Sequence, residues 1–125
     1  MSTAIGTKTI VIIEDDLDIR DALGQILEFE GYRVVGLGNG KEALEYLRKS
    51  EPPALILLDL MMPVMDGWQF RSEQLTDPDL KDIPVVIVSA DGRVYQKAQL
   101  IGAAGYLRKP VELETLLSTV QRYSR

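Results

Sequence analysis

Apolar positions along this chain follow two rhythms. Short unbroken runs alternate with longer segments in which apolar residues recur every three or four places. The runs are TIVII (Thr9–Ile13), YRVVGL (Tyr32–Leu37), ALILL (Ala54–Leu58), PVVIVS (Pro84–Ser89) and GYLRK (Gly105–Lys109). Runs rich in β-branched residues predict strands suited to burial on both faces, and the three-to-four recurrence predicts amphipathic helices. In LDIRDALGQILEFEG the stripe is Ile19, Leu23, Ile26 and Leu27, and Gly31 stands where a glycine ends a helix. GKEALEYLRKS turns Ala43, Leu44 and Leu47 inward. A third helix is expected from about Gly67 to Thr76. RVYQKAQLIG forms a fourth, stopped by Gly102, and LETLLSTVQRY a fifth, with Leu113, Leu116, Leu117 and Val120 on one face.

Five repeats of strand then helix predict an α/β fold, a three-layer (βα)5 arrangement with a parallel sheet covered on both sides. The flavodoxin-like, doubly wound strand order 2-1-3-4-5 places its reversal of winding between strands 1 and 3. Ligands of such sheets gather there, at the carboxyl ends of the strands. The 125 residues suit one domain, 1–125, with a core over about 8–123. There is no internal repeat, linker or low-complexity tract.

The strand ends carry unusual chemistry. The first run leads into Glu14, Asp15 and Asp16, the third into Asp59, the fourth ends on Ser89, and the fifth on Lys109, followed by Pro110. Each has an ordinary explanation taken alone. Asp16 or Asp18 suits a helix cap, a strand-end serine is common, and a lone lysine is usually a surface residue. Asp59 is different, because LILL precedes it and the apolar residues Leu60, Met61 and Met62 lead on to Pro63, where the chain breaks before the Asp66-Gly67 turn. It is expected to be half buried. Carboxylates crowded together repel and lose hydration unless a cation joins them.

Composition narrows that cation. The chain has no cysteine and no histidine, so a metal must be held by oxygen, which favours Mg²⁺ or Ca²⁺. Glu14, Asp15 and Asp59 supply hard oxygens, and the Met61 backbone carbonyl, unlike its thioether, can add another. Asp59 can act as a nucleophile toward phosphorus, with Lys109 and Ser89 contacting the phosphoryl oxygens. The net charge of −5 argues against nucleic acid as a partner. No apolar run approaches the ~20 residues of a membrane span. MSTAIGTKT lacks the apolar stretch of a secretory signal, so a cytoplasmic protein is expected.

The motifs IIEDD, LLDLMMPVMDG, VIVSA and YLRKP, in this order and each at a strand end, resemble the receiver domain of two-component response regulators over nearly the whole chain. The resemblance implies that Asp59 is the phosphoacceptor, that Asp15 is a direct Mg²⁺ ligand, and that Glu14 acts mainly through water. It implies that the Met61 carbonyl is the third protein ligand. Ser89 and Tyr106 match the hydroxyl and aromatic switch positions, and Lys109 the family lysine, with a cis Lys109–Pro110 peptide. Met61 and Asp91 match positions that influence phosphoryl lifetime. The implied donor is a sensor histidine kinase or a histidine phosphotransfer protein. The output is a downstream protein met by the face of the fourth helix, strand 5 and the last helix, with the chain a monomer or a weak phosphorylation-dependent dimer. The resemblance implies a signalling phosphoacceptor rather than an enzyme, one that assists its own phosphorylation and dephosphorylation.

Two rivals share the fold. An aspartate-nucleophile phosphatase needs a second carboxylate two residues after the nucleophile, where this chain has Met61. A flavin-binding module needs a hydroxyl- or glycine-rich phosphate loop after strand 1, where this chain has EDDLDIR. GLGNGK (Gly36–Lys41) fits neither the dinucleotide fingerprint nor the P-loop, and reads as a loop and helix start. MSTAIGT reads as a natural start, which favours a stand-alone receiver or the N-terminal receiver of a larger regulator over an internal piece, and no linker or output domain is expected within residues 1–125.

Overall fold

The computed structural model describes residues 8–62 and 64–124. The chain break expected at Pro63 and the start read in MSTAIGT lie outside the described residues. Five strands, β1 (Thr9–Ile13), β2 (Arg33–Leu37), β3 (Leu55–Asp59), β4 (Val85–Ser89) and β5 (Gly105–Arg108), alternate with five helices. The helices are α1 (Leu17–Phe29), α2 (Gly40–Lys49), α3 (Gly67–Thr76), α4 (Val94–Leu100) and α5 (Leu113–Tyr123). All strand pairs are parallel, in the order β2-β1-β3-β4-β5. The expected winding is therefore the observed one.

The period-two alternation of the strands sorts their side chains onto two sheet faces. Val11, Ile13, Ile56, Leu58, Val85 and Ile87 meet α2, α3 and α4 through Ala43, Leu44, Leu47, Phe70, Val94 and Ala98. Ile10, Ile12, Leu55, Leu57, Val86 and Val88 meet α1 and α5 through Leu23, Leu27, Leu116 and Val120. Both faces being covered is why β3 and β4 are buried at every position. The edge strands β2 and β5 are half open and carry a more mixed sequence.

Helix ends follow local chemistry. Asp16 caps α1, its carboxylate accepting from the Asp18 and Ile19 amides, while Asp18 lies in the first turn, near the positive end of the helix dipole. Asn39 caps α2, accepting from Glu42 N–H, which accounts for the GLGNGK stretch as a loop and helix start. Gly31 and Gly102 take φ of +99° and +69° just past α1 and α4, a backbone shape other residues resist.

Two expectations are corrected. Leu113 does not face inward: it is the first residue of α5 and 53% exposed, and the helix is buried through Leu116 and Val120, with Leu117 partly buried against the same core. The fifth strand ends one residue early, at Arg108, although Lys109 N–H still donates to Ser89 O at 2.9 Å and keeps the β4 register. Among the described residues no helix is long and apolar enough to cross a membrane.

Candidate functional site

The parallel register brings the strand-end carboxylates side by side. Ile13 pairs with Leu58, so the next residues, Glu14 and Asp59, leave the sheet as neighbours. A carboxylate oxygen from each of Glu14, Asp15 and Asp59 lies within 4.8 Å of the others. Glu14 is 2% exposed and Asp59 5%, whereas Asp15 faces solvent. Asp59 is thus buried more deeply than the half burial expected, because β3 is the central strand of five.

Lys109 reaches this pair from the end of β5. Its ammonium lies 2.7 Å from Glu14 Oε1 and 3.5 Å from Asp59 Oδ2. The remaining oxygens are held by backbone: Met61 N–H donates to Asp59 Oδ1 at 3.1 Å and Asp16 N–H to Glu14 Oε2 at 3.2 Å. Glu14 Oε1 has the ammonium's charge nearby but no well-aligned hydrogen bond, so a buried carboxylate oxygen is left without a linear donor. Burial is the main cause that raises the Glu14 pKa above the ordinary glutamate value; the nearby Asp59 adds to it and Lys109 opposes it. For Lys109, burial pulls the pKa down, but Glu14 and Asp59 together outweigh it and leave it raised, so the ammonium stays charged.

Three carboxylates against one ammonium leave an excess of negative charge in a partly dry pocket. Together with the unaligned Glu14 oxygen, this all-oxygen donor set fits a hard divalent cation.

Ser89 is buried at the end of β4, and its Oγ accepts from Asp91 N–H at 3.1 Å. It sits one place beyond Val88, the register partner of Asp59. Asp91 in turn accepts from Lys97 Nζ at 2.6 Å, and that ammonium is the first cause of its lowered pKa. Tyr106 lies farther off, on β5 opposite Ile87; it is 44% exposed and meets Tyr95 edge-on at 5.5 Å. The Met61 side chain is 70% exposed, and the Lys109–Pro110 peptide is cis.

Sequence reasoning missed Arg20. Its Nη1 donates to the Glu14 carbonyl at 2.9 Å, fixing the exit of β1. Gly36 makes room for it, since a Cβ there would come 3.0 Å from Arg20 Cδ. No local signal links residues 14, 20 and 36. Gly67 has a comparable spatial role. Its N–H donates to Leu60 O at 3.0 Å, and an added Cβ would fall 2.7 Å from Leu60 Cα and 2.8 Å from Asp59 O. Backbone cannot swing aside as a side chain can. Gly67→Ala is therefore expected to destabilise the fold by about 2 kcal/mol, within the usual cost of overpacking. Urea denaturation of the two proteins measures it, and an unchanged midpoint would show that the loop has slack.

A five-stranded parallel sheet of this order, with acidic groups, a buried hydroxyl and a lysine gathered at its carboxyl edge, defines a signalling receiver. The family comparison agrees: residues 10–121 match the response regulator receiver domain, and the chain belongs to that family, whose members serve two-component systems. It is 35% identical over 118 residues to the response regulator MprA of Mycobacterium leprae (strain TN), an alignment covering 93% of this chain and 50% of that protein. The chain spans about half the length of the curated relatives it matches. Among solved structures it resembles a putative response regulator from Chloroflexus aurantiacus J-10-fl, with TM-score 0.88, 28% identity, and coverage of 94% of this chain and 98% of that one. It also resembles the chemotaxis response regulator CheY4 of Vibrio cholerae, with TM-score 0.85, 30% identity, and coverage of 94% and 98%.

Proposed function

We propose that Asp59 accepts a phosphoryl group from a phosphohistidine on a sensor histidine kinase or a histidine phosphotransfer protein. The observation that carries this reading is a buried aspartate beside a second buried carboxylate, the two sharing one lysine ammonium, at the carboxyl edge of a doubly wound sheet. An Asp59 carboxylate oxygen attacks phosphorus, the phosphorus–nitrogen bond breaks, and the electron pair returns to the donor imidazole. Lys109 places positive charge beside the phosphoryl oxygens, and the Ser89 hydroxyl supplies a hydrogen bond. Asp15, Asp59 and the Met61 carbonyl would hold Mg²⁺ directly, with Glu14 acting through water. When bound, the ion supplies positive charge to the incoming phosphoryl oxygens.

The added charge, about −1.5 to −2, draws Ser89 toward it. Tyr106 then turns into the vacated space, altering the face made by α4, β5 and α5 that a downstream protein reads. In this reading the domain works in the cytoplasm, does not bind nucleic acid itself, and is a monomer or a weak dimer when phosphorylated. It also assists its own dephosphorylation. Neither rival is favoured by the site: Met61 offers no acid/base group, and Glu14, Asp15 and Asp16 surround the place a flavin phosphate would need.

Acetyl phosphate with Mg²⁺ tests the reading. Intact-mass spectrometry should show one base-labile phosphoryl group per chain, lost when a chelator is present during the reaction. Rapid multiple turnover of the donor would indicate a phosphatase, and no covalent gain would remove the phosphoacceptor reading.

A further inference from the structure

The position of α4 is set at its two ends by different means. At the carboxyl end the chain closes in a Schellman turn. Gly102 N–H donates to Gln99 O at 3.2 Å and Ala103 N–H to Ala98 O at 2.9 Å. The carbonyls just past it are taken up from another helix: Arg71 of α3 donates Nε to Ile101 O at 3.0 Å and Nη2 to Gly102 O at 2.8 Å. The same guanidinium gives Nη1 to Gln74 Oε1 at 2.8 Å. Gln74 is fully buried and gives its own Nε2 to Leu80 O at 2.9 Å and Ile83 O at 3.0 Å. A planar cation fixed in three directions thus sits at the negative end of the α4 dipole.

The amino end is anchored by the buried Val94 side chain but, among the described residues, by no hydrogen bonds from another helix. Arg93 at the cap position makes no side-chain cap bond. Asp91 stands in for it, accepting from Arg93 N–H at 2.7 Å and from Lys97 Nζ at 2.6 Å. Both partners of that ion pair are partly solvated, at 32% and 23% exposure, where such pairs hold weakly. Asp91 is also the residue whose N–H binds Ser89 Oγ. Of the seven α4 residues only Val94 and Ala98 are buried. The end whose polar bonds are partly solvated is therefore the one wired to Ser89.

We infer that Arg71 is a positioning residue that makes the carboxyl end of α4 a fulcrum, so that displacement of Ser89 turns the amino end of the helix instead of sliding the whole of it. The source of that displacement rests on the phosphorylation reading above; the fulcrum does not.

Amide hydrogen exchange of the full chain, read by mass spectrometry over residues 91–97 and 99–104, separates the two. Arg71→Met keeps the apolar stem and removes the three bonds; exchange over 99–104 should rise about tenfold or more, as expected for loss of hydrogen bonds from a charged group. Arg71→Lys keeps the charge but not the fork, and should give a smaller rise in the same segment, which serves if the methionine variant does not fold. Ser89→Ala, with no phosphodonor, should loosen 91–97 and leave 99–104 unchanged. Phosphorylated wild type should do the same. Unchanged exchange over 99–104 in both Arg71 variants, or equal loosening of both segments in Ser89→Ala, would overturn the fulcrum. Failure of wild type to take up phosphoryl would instead count against the function, while the Arg71 and Ser89 variants still decide the fulcrum.

Discussion

Replacing Asp59 with asparagine is expected to abolish phosphoryl incorporation from acetyl phosphate, with the mass gain falling from one group per chain to none. Asparagine matches aspartate in shape, and its amide oxygen can still accept from Met61 N–H, now 3.1 Å from Asp59 Oδ1. The nucleophile is gone but the loop keeps its bond. Stability should not suffer. The attraction lost to Lys109 at 3.5 Å and the repulsion removed from the Glu14 carboxylate are of the same order, about 3–5 kcal/mol each at an effective dielectric near 20, and nearly cancel. One fewer buried charge remains to be desolvated, so metal-free Asp59→Asn should melt at or slightly above wild type. Its response to Mg²⁺ should shrink. In wild type, Mg²⁺ at about a hundredfold over its dissociation constant contributes about 2.7 kcal/mol, or roughly 10 °C in a domain of this size. Thermal melts with and without the ion check both statements. An equal mass gain in wild type and variant would move the acceptor to another residue, and an undiminished melting shift in the variant would place the ion elsewhere.

Lys109→Met should be the most destabilising change at the site. It removes the ammonium that, among the described residues, alone reaches Glu14 and Asp59, and leaves two buried carboxylates facing each other. Removing one partner of a buried pair typically costs about 3–5 kcal/mol, and because the Lys109 side chain is 19% exposed the lower end applies. Mg²⁺ should recover part of the loss by restoring positive charge. Phosphoryl uptake should fall by about 10²–10³, the usual effect of removing a preorganised charge from a transition state.

The pH dependence has a definite sign. A lysine whose pKa is raised on folding stabilises the native state at every pH below its unfolded value, and this is lost as pH rises through the folded value. Wild type and variant should therefore converge at strongly alkaline pH. Glu14 works the other way: its pKa is raised, chiefly by burial, so its ionisation weakens the fold as pH climbs from the unfolded glutamate value through the folded one. Without Lys109 that penalty grows, so the deficit of Lys109→Met should narrow on acidification. Denaturant titrations at acid, neutral and alkaline pH measure the difference, and a deficit that does not change with pH would show that Lys109 acts by packing alone.

Much of this molecule could be read from residue order because its signals are local. β1, β3 and β4 were recognisable because strands covered on both faces must be aliphatic throughout, and TIVII, LILL and VVIV leave no polar face for water. The helix ends at Gly31 and Gly102 were legible because a positive φ at a helix stop is a demand on one residue. Asp59 stood out because a carboxylate following four aliphatic residues has no ordinary solvated place. Arg71 and Gln74 gave no such sign. In the sequence they are two polar residues on a short helix, and their partners, Ile101, Gly102, Leu80 and Ile83, are backbone carbonyls, which every residue possesses. Leu113 misled for the opposite reason, since periodicity marks an apolar stripe without saying which of its residues the core covers.

The sequence by itself determined the alternation of strands and helices, the identity of the strand-end groups and the restriction of any metal to oxygen ligands. These follow from backbone geometry and side-chain chemistry, which act within a few residues. Only the tertiary structure decided that Glu14 and Asp59 share one ammonium, that Gly36 makes room for Arg20, and that α3 holds the far end of α4. Those are distances between segments brought together by packing, and they exist only once the sheet has closed.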